Sequence, residues 1–425
     1  MTEKKITILT LSDHPLSPSG VGTQTKYMIE AMLSTGKYRF ICLGGAIKHE
    51  KYQPLKIDPW GEDWLIHPVD GYGTQEQIRS FLQTYKPDIV WFMTDPRFYG
   101  WLWEIENEIR AVAPMVYYHV WDNYPYPVFN KPWYDSNDVI ATISKVTSDI
   151  VRNVSPQVKE VYLPHTVNTN IFKKFHPEQV EQFKKQTFGN SDSEKSDEKL
   201  TFFWNNRNAR RKMSGSLIWW FKQYLDKVGH DTARLIMHTD PSDAHGQDLL
   251  AIMKRLDLTR GQVMLSREKV PPSHLSMLYN VADCTINISD AEGFGLATLE
   301  SLACETPIIV SMTGGLQEQV TNGEDWFGIG IKPASQAIIG SQEVPYIYED
   351  RISGDDLVDA LVEFTEKTKE EREELGSKGR QHLLDNYSPE QFTQRWDSLL
   401  TEVYETCGSW ENRKNYKSWE FVEVS

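Results

Sequence analysis

The sequence is poor in cysteine and has no long apolar stretch. Its four cysteines, Cys42, Cys284, Cys304 and Cys407, are scattered over 425 residues, unlike a disulfide framework or a metal cluster. No run approaches the ~20 apolar residues that cross a bilayer, and the first residues lead into a strand pattern without a signal-peptide pattern. We therefore expect reduced thiols and a cytoplasmic protein.

The sequence also lacks an excess of basic residues. Its formal net charge is −15, which disfavours nonspecific binding to nucleic acid or anionic lipid. The acidity is uneven, because residues 1–165 carry 16 Lys and Arg against 19 Asp and Glu. This nearly neutral part of the chain leaves an anionic acceptor open.

Strand and helix patterns alternate along the chain. A strand pattern at residues 5–10 is followed by a glycine turn with Gly20 and Gly22 and a helix pattern at 24–33, as in a Rossmann-like unit. A second series of the same kind starts with a strand at 200–204. This alternation predicts parallel sheets with helices on both faces, and the chain is long enough for two or three domains.

The most informative segment is EGFGLATLE, in which Glu292 and Glu300 lie on either side of a Gly-Phe-Gly turn. A buried strand pattern at 281–289 precedes the turn, and a helix pattern follows it. Open α/β sheets bind ligands at the carboxyl ends of strands, and the free N–H groups of a helix start suit a phosphate or a polar sugar. The candidate ligand-binding residues of the turn are Gly293, Phe294, Gly295 and Leu296.

Two glutamates at this spacing can also arise by chance or belong to a glycosidase. The chain has 60 acidic residues, so a bare pair at this spacing is weak evidence. The two carboxyl groups of a glycosidase lie roughly 5–9.5 Å apart. On one continuous helix the two glutamates would be about 12 Å apart, which is too far for that chemistry, and the glycines argue against such a helix.

Residues 282–320 resemble the donor site of retaining GT-B glycosyltransferases of the glycosyl transferases group 1 type, which carry an E-x(7)-E motif. The resemblance rests on Glu292 and Glu300, the strand pattern at 307–310 and the GGLQE turn at 314–318. It implies that Glu292 contacts the transferred sugar and that Glu300 binds the ribose of the nucleotide. The fold it implies is α/β of the GT-B type, with two Rossmann-like doubly wound domains facing across a cleft.

The resemblance also implies that the two domains bind different substrates. Residues 1–165 would form the acceptor domain, and residues 166–389 the nucleotide-sugar donor domain. A final helix at about 390–425 would pack back on the first domain. Residues 333–351 look like an insertion near the rim of the site.

Arg207 and Lys212 follow the strand at 200–204, at the spacing of the arginine and lysine with which the family holds the donor diphosphate. Two fixed cations neutralise the charge that develops on a leaving diphosphate, so we expect no metal there. A solvated basic loop is the alternative. Gly20 and Gly22, which permit close backbone approach and positive φ, are expected from the resemblance to pack on the donor phosphates.

His119 ends a strand pattern at the point where the family frequently places a histidine facing the donor sugar. There it would orient the sugar and stabilise an oxocarbenium-like state; a structural histidine is the alternative. The chain departs from the family at Met213 and Glu305, where glycine is common, and these departures concern the path of the loop and the turn.

Between residues 91 and 134 there are 14 aromatic residues, and we expect several of them to bind the acceptor by stacking. The resulting hypothesis is a retaining, metal-independent hexosyl- or pentosyltransferase that uses a nucleotide sugar, with UDP as the expected nucleotide. Its acceptor would be a saccharide, lipid, protein-linked glycan or small molecule. Hydroxymethylated bases of DNA, an epimerase or phosphorylase activity, and an inactive sugar-binding scaffold stay open as alternatives. No resident cofactor is expected, and the sequence leaves the oligomeric state open.

Overall fold

The computed structural model describes residues 4–188 and 199–419. The chain divides into two compact units, one formed by Met1–Thr166, Gly340–Tyr346 and Pro389–Ser425, the other by Val167–Ile339 and Ile347–Ser388. Within the described ranges, no helix is long and apolar enough to cross a membrane.

The strands are β1 (Ile6–Asp13), β2 (Tyr38–Gly45), β3 (Leu55–Ile57), β4 (Gly61–Pro68), β5 (Ile89–Thr94), β6 (Met115–His119), β7 (Val139–Thr142), β8 (Lys159–Tyr162), β9 (Leu200–Asn205), β10 (Ala233–His238), β11 (Val263–Ser266), β12 (Cys284–Asn287), β13 (Ile308–Ser311), β14 (Gly328–Ile331), β15 (Ser335–Ile339) and β16 (Ile347–Arg351). The first unit contains an eight-stranded sheet in the order β3-β4-β2-β1-β5-β6-β7-β8. Its strands are parallel except for the antiparallel pair β3 and β4. The second unit contains a six-stranded parallel sheet in the order β11-β10-β9-β12-β13-β14.

The α-helices are α1 (Gly20–Ser34), α2 (Gln75–Tyr85), α3 (Gly100–Trp103), α4 (Glu106–Arg110), α5 (Lys131–Asp135), α6 (Lys145–Val154), α7 (Pro177–Phe188), α8 (Ser214–Val228), α9 (Leu249–Arg255), α10 (Pro272–Val281), α11 (Leu296–Ala303), α12 (Leu316–Val320), α13 (Gly354–Glu366), α14 (Lys369–Asn386) and α15 (Pro389–Cys407). Several begin where side chains bind free backbone N–H groups. The Ser19 hydroxyl accepts from Gly22 N, and the Ser144 hydroxyl accepts from Thr147 N. Ser19 and Ser144 are thus helix caps.

The last helix belongs to the first unit. The Trp396 ring of α15 packs edge-on against Trp91 and Tyr118, and the Tyr38 hydroxyl donates to Asp397 Oδ1 at 2.7 Å. The helix ends at Cys407, well before residue 425, because Gly408 adopts a left-handed backbone with φ of 60°. Residues 420–425 of the expected helix lie outside the described part of the chain.

The aromatic-rich segment mostly forms core. Phe92 stacks on Tyr117 with ring centroids 4.8 Å apart, and Trp103 stacks on Trp133 at 5.6 Å. Of the 14 aromatic side chains, Phe98 and Tyr126 are exposed, with 47% and 41% of their surface accessible to solvent. Most of these side chains therefore stabilise the first sheet and are not available to stack on an acceptor.

The segment 333–351 forms a hairpin. Strands β15 and β16 pair antiparallel, from Ser335 opposite Arg351 to Ile339 opposite Ile347. This two-stranded sheet is separate from the six-stranded sheet. The hydrogen bonds at its base link it to the loop that carries Glu292, as described below.

Candidate functional site

The loop that carries Glu292 connects β12 to α11. Gly295 has φ of 94°, and a Cβ there would lie 2.5 Å from Leu316 Cδ2, so this position requires glycine. A Cβ on Gly315 would lie 2.7 Å from Phe294 Cα and 2.8 Å from Gly293 O. The turn before α12 therefore packs directly on the Gly-Phe-Gly turn, and the glycines serve this close backbone contact.

The turn presents backbone, not side chains, to a ligand. Phe294 is buried with its ring against Tyr387, and its carbonyl accepts from Gln319 Nε2 at 2.7 Å. Gly295 lies at the N-cap of α11 and has no side chain to satisfy the first N–H groups of this eight-residue helix, which starts at Leu296. Strand, turn and helix thus have the arrangement that the sequence predicts.

Glu292 and Lys212 form an ion pair in which both side chains are largely buried. Lys212 Nζ donates to Glu292 Oε2, and two uncharged side chains, Asn287 Nδ2 at 3.4 Å and Ser289 Oγ at 3.3 Å, also donate to this oxygen. Burial would raise the pKa of Glu292, but Lys212 and Arg211 outweigh it and lower the pKa to about 2. Glu292 is therefore an ionised hydrogen-bond acceptor at neutral pH.

Glu300 lies in α11 in a different environment. The Tyr279 hydroxyl donates to Glu300 Oε2 at 2.7 Å and accepts from Asn205 Nδ2 at 2.9 Å. Burial raises the pKa of Glu300 to about 7, although the hydrogen bond from Tyr279 opposes the shift. One glutamate of the motif is thus fully ionised near pH 7, whereas the other titrates there.

Arg207 pairs with a different acid. Its Nε and Nη2 donate to the two carboxylate oxygens of Asp243 at 2.7 and 3.2 Å, and its Nη2 lies 2.8 Å from His245 Nδ1. The Arg207 side chain is 61% exposed. The structure therefore brings Lys212 and Glu292 together and holds Arg207 separately, against Asp243 and His245 of the loop after β10.

Gly20 and Gly22 are the first and third residues of α1. A Cβ on Gly22 would clash with Ser17 Oγ and lie 2.7 Å from His14 O, so this glycine packs closely against the preceding loop. Neither glycine uses the positive φ that glycine permits, because both belong to a right-handed helix, and their packing on donor phosphates stays a prediction. Ser19 caps this helix and donates to Asp13 Oδ2 at 2.5 Å.

His119, at the end of β6, is completely buried. Its Nε2 lies 2.6 Å from the Tyr134 hydroxyl, which also accepts from Asn130 Nδ2 at 3.3 Å. Tyr134 accepts from Asn130 and can donate its own proton to His119 Nε2; in that tautomer the imidazole proton is on Nδ1. Burial lowers the pKa of His119 to about 3, so the ring is neutral, and Nδ1 has no hydrogen-bond partner in the described residues.

The sequence reasoning missed four polar residues of the site. Asn287 and Ser289 contact Glu292, and Asn205 and Tyr279 form a chain of hydrogen bonds to Glu300. Asn205 and Asn287 are the last residues of β9 and β12. Their position at strand ends could have identified them as site residues, because ligand sites of parallel sheets lie at the carboxyl ends of strands.

The two departures from the family's glycines fall at strained backbone positions. Met213 has φ of 59° and Glu305 has φ of 60°, in the left-handed region that side chains with a Cβ rarely adopt. Met213 directly precedes α8 and follows Lys212. The loop therefore keeps the path that glycine favours, although this chain has methionine there.

Part of the chain is similar to a known protein family. The family described as glycosyl transferases group 1 matches residues 252–382, which contain both glutamates. A D-inositol 3-phosphate glycosyltransferase of Acidothermus cellulolyticus is 35% identical over 96 residues, 22% of this chain and 21% of that protein. A probable sucrose-phosphate synthase of Thermosipho melanesiensis is 28% identical over 178 residues, 40% of this chain and 37% of that protein. The chain thus matches about a fifth to two fifths of the length of these relatives.

Solved structures share the fold over nearly the whole chain. Sucrose-phosphate synthase from Thermosynechococcus elongatus superposes with a TM-score of 0.72 at 15% identity, over 95% of this chain and 100% of that one. Anabaena Alr3699/HepE in complex with UDP and glucose gives a TM-score of 0.67 at 14% identity, over 94% and 100% of the two chains. These likenesses confirm the predicted α/β fold of the GT-B type. Over residues 252–382, which include both glutamates, the chain is similar to the glycosyl transferases group 1 family.

Proposed function

We propose that this protein is a retaining glycosyltransferase that moves a sugar from a nucleotide sugar to an acceptor hydroxyl. The observation that carries the proposal is the buried Lys212–Glu292 pair at the carboxyl end of β12, beside the uncapped start of α11. A cation next to backbone N–H groups suits a diphosphate, and an ionised carboxylate suits the hydroxyls of a sugar. One site thus offers complementary groups for both halves of a nucleotide sugar.

Each residue has a proposed role in the transfer. Lys212 stabilises the charge that develops on the departing diphosphate, and Arg207 adds a second, more exposed cation. Glu292, ionised at neutral pH, accepts hydrogen bonds from the transferred sugar and does not act as a proton donor. Glu300 accepts from the ribose hydroxyls, and Gly293, Phe294, Gly295 and Leu296 supply backbone contacts.

His119 is proposed to stabilise the sugar through its Nδ1–H group. This buried donor has no partner in the described residues, and burying an unsatisfied donor costs free energy. A sugar oxygen that reached it would recover that cost. Tyr134 keeps the proton on Nδ1 and is a positioning residue.

Retention follows from the proposed absence of a separate base on the far side of the sugar. The leaving phosphate oxygen accepts the proton of the acceptor hydroxyl while the bond from the anomeric carbon to that phosphate breaks. The acceptor oxygen then bonds to the anomeric carbon on the same face. Atoms and charge balance, and the products are the glycoside and the nucleoside diphosphate.

We propose UDP as the nucleotide and a small phosphorylated polyol or sugar as the first acceptor class to test. Support comes from Alr3699/HepE, which is described in complex with UDP and with UDP-glucose, and from the names of the inositol 3-phosphate and sucrose-phosphate relatives. The nearly neutral residues 1–165 suit an acceptor with a negative charge. No observation favours DNA as the acceptor.

The test is a thermal-shift screen of UDP, GDP, ADP and CDP and their glucose conjugates, with and without EDTA. We expect a selective rise in Tm for one nucleotide that persists in EDTA, followed by release of that diphosphate when an acceptor is added. NMR of the product anomer then decides the stereochemistry. An inverted product would contradict the retaining mechanism, and the absence of both a shift and diphosphate release would contradict the proposed function.

A further inference from the structure

The base of the β15–β16 hairpin is joined to the active-site loop by a chain of ion pairs. Arg210 donates to both oxygens of Glu349, from Nη1 at 2.7 Å and from Nη2 at 2.6 Å. Arg351 Nη2 donates to Glu349 Oε2 at 3.0 Å, and Arg351 Nη1 pairs with Asp290 Oδ2. The order Arg210–Glu349–Arg351–Asp290 alternates in charge and links three segments that are distant in sequence.

The two acids of this network are almost completely buried, each with 3% of its side chain exposed. A buried carboxylate is costly unless it is paired and hydrogen-bonded. Removal of Arg351 would leave Asp290 without this partner, whereas Glu349 would keep Arg210. The loop side of the network therefore depends on Arg351 more than the hairpin side does.

Backbone bonds reinforce the same contact. Asp290 N donates to Arg211 O at 2.8 Å, and Asp350 N donates to Asp290 O at 2.9 Å. The carboxylate of Asp350 accepts from Thr313 Oγ1 at 2.6 Å and from Gln336 Nε2 at 2.9 Å. The backbone N–H and carbonyl of Asp290 are thus hydrogen-bonded and its carboxylate is ion-paired with Arg351, two residues before Glu292.

We propose that the β15–β16 hairpin is a positioning element of the active site, in which Arg351 fixes Asp290 and thereby sets the orientation of Glu292. Arg351 touches no reacting group in this arrangement and acts through the loop. Catalysis is sensitive to such placement, since a displacement of about 1 Å at the reacting groups can cost on the order of 10²-fold in rate. This inference rests on the proposed function and adds Arg210, Glu349 and Arg351 to the residues that support it.

The test compares Arg351→Met, Arg351→Lys and the control Lys227→Met in the full-length protein. Lys227 forms an exposed ion pair with Asp359 in the same unit, so its loss removes a cation without touching the loop. We expect Arg351→Met to lower kcat for UDP release from UDP-glucose at least about tenfold, with the Kd of UDP within about twofold of wild type. Arg351→Lys should recover most of the rate, because it retains a cation, and Lys227→Met should match wild type.

A second measurement separates this inference from the proposed function. Amide hydrogen exchange in a peptide covering residues 286–298 should be faster in Arg351→Met than in wild type and unchanged in Lys227→Met. Unchanged exchange in Arg351→Met, or an unchanged kcat in an active enzyme, would overturn the positioning role. Wild-type protein that releases no UDP from UDP-glucose would count against UDP-glucose as the donor, while the exchange result would still decide whether the hairpin holds the loop.

Coupling between Arg351 and Asp290 provides a further check. Asp290→Asn removes the charge that Arg351 neutralises but leaves the backbone bonds of residue 290 possible. If Arg351 acts through Asp290, the double variant should be no slower than the slower single variant. Additive losses in the double variant would show that Arg351 acts by another route and would overturn the proposal.

Discussion

The strand ends of the two units carry different chemistry. In the first unit, Asp13 accepts from the hydroxyls of Ser19 and Tyr72, and His119 is neutral and bonded to Tyr134. In the second unit, the corresponding edge is built from opposite charges, of which the Lys212–Glu292 pair is the most deeply buried. Both edges are polar, but the groups named in the first unit are joined by hydrogen bonds from uncharged donors, whereas those in the second unit are joined by ion pairs.

The two edges therefore differ in how well they can bind a charged ligand. A buried ion pair can exchange partners with a ligand that carries both an anionic group and hydroxyls, because each ion finds a replacement. Neutral hydrogen-bonding groups discriminate among hydroxyl patterns without attracting charge. The second unit therefore suits the charged diphosphate of the proposed nucleotide-sugar donor.

The largest effect is expected at the charged edge, for Glu292→Gln. The amide keeps the size of the side chain but loses the charge that faces Lys212 and the sugar, so turnover should fall on the order of 10²–10³-fold. The Kd of UDP should change little, because Glu292 is proposed to contact only the sugar. Steady-state kinetics and calorimetric titration measure the two quantities. Glu363→Gln, at an exposed acid paired with Lys367, is the control, and equal turnover in both variants would refute the assignment.

The next effect separates the two cations. Lys212→Met should lower turnover about 10²–10³-fold, whereas Arg207→Met should lower it by only about tenfold, since an exposed charge is screened by water. Circular dichroism should show that both variants are folded before rates are compared. Equal losses would mean that Arg207 leaves Asp243 when the nucleotide binds.

A smaller loss of activity is expected in the first unit, for Tyr134→Phe. The variant removes the hydroxyl that holds the proton of His119 on Nδ1, which should lower kcat by about tenfold without affecting the Kd of UDP. Phe is close in size to Tyr, so the packing should be retained. A wild-type kcat, together with a lowered Tm, would show that the Tyr134–His119 bond is purely structural.

The two glutamates of the motif differ in pKa, and the pH dependence of nucleotide binding tests this difference. Because the pKa of Glu300 is raised to about 7, its carboxyl group is mostly neutral at pH 6 and mostly ionised at pH 8. A ribose diol binds the ionised form better, so UDP affinity should rise with pH by up to about tenfold over this range and fall as the pH drops through 7. The ratio of wild type to Glu300→Gln cancels the titration of UDP itself. A ratio that is flat with pH would contradict the ribose contact.

The smallest effect concerns backbone strain at Met213. Met213→Gly should be more stable than Met213→Ala by about 1 kcal/mol, because both remove the side chain but only glycine adopts φ near 59° without penalty. Urea denaturation measures the difference in the free energy of unfolding. A more stable alanine variant would show that chain entropy outweighs the strain.

Much of the fold could be predicted because its signals are local. Strands β9 and β13 lie within one residue of the patterns at 200–204 and 307–310, since the apolar residues that define a buried strand are contained in the segments themselves. Strand β4 lies in a segment for which no residue pattern predicted a strand. The final helix is shorter than expected, because a single left-handed glycine ends it.

The residues of the candidate site could be predicted from the sequence, but the ion pairs that they form could not. The spacing of Glu292 and Glu300 across a glycine turn, and the basic loop after β9, can be read from the chain itself. The ion-pair partner of each charged residue cannot be predicted from the sequence, because the partners are far apart along the chain. Lys212 and Glu292 are 80 residues apart, and Arg207 and Asp243 are 36 residues apart.

The α/β class, the strand–glycine turn–helix unit around Glu292 and the residue types of the site are thus predictable from the sequence, since they follow from local periodicity and backbone preference. The difference between the pKa values of Glu292 and Glu300, and the contact between Arg351 and Asp290, emerge only in the folded chain. Those properties depend on burial and on the neighbouring charges, and long-range packing alone brings such groups together.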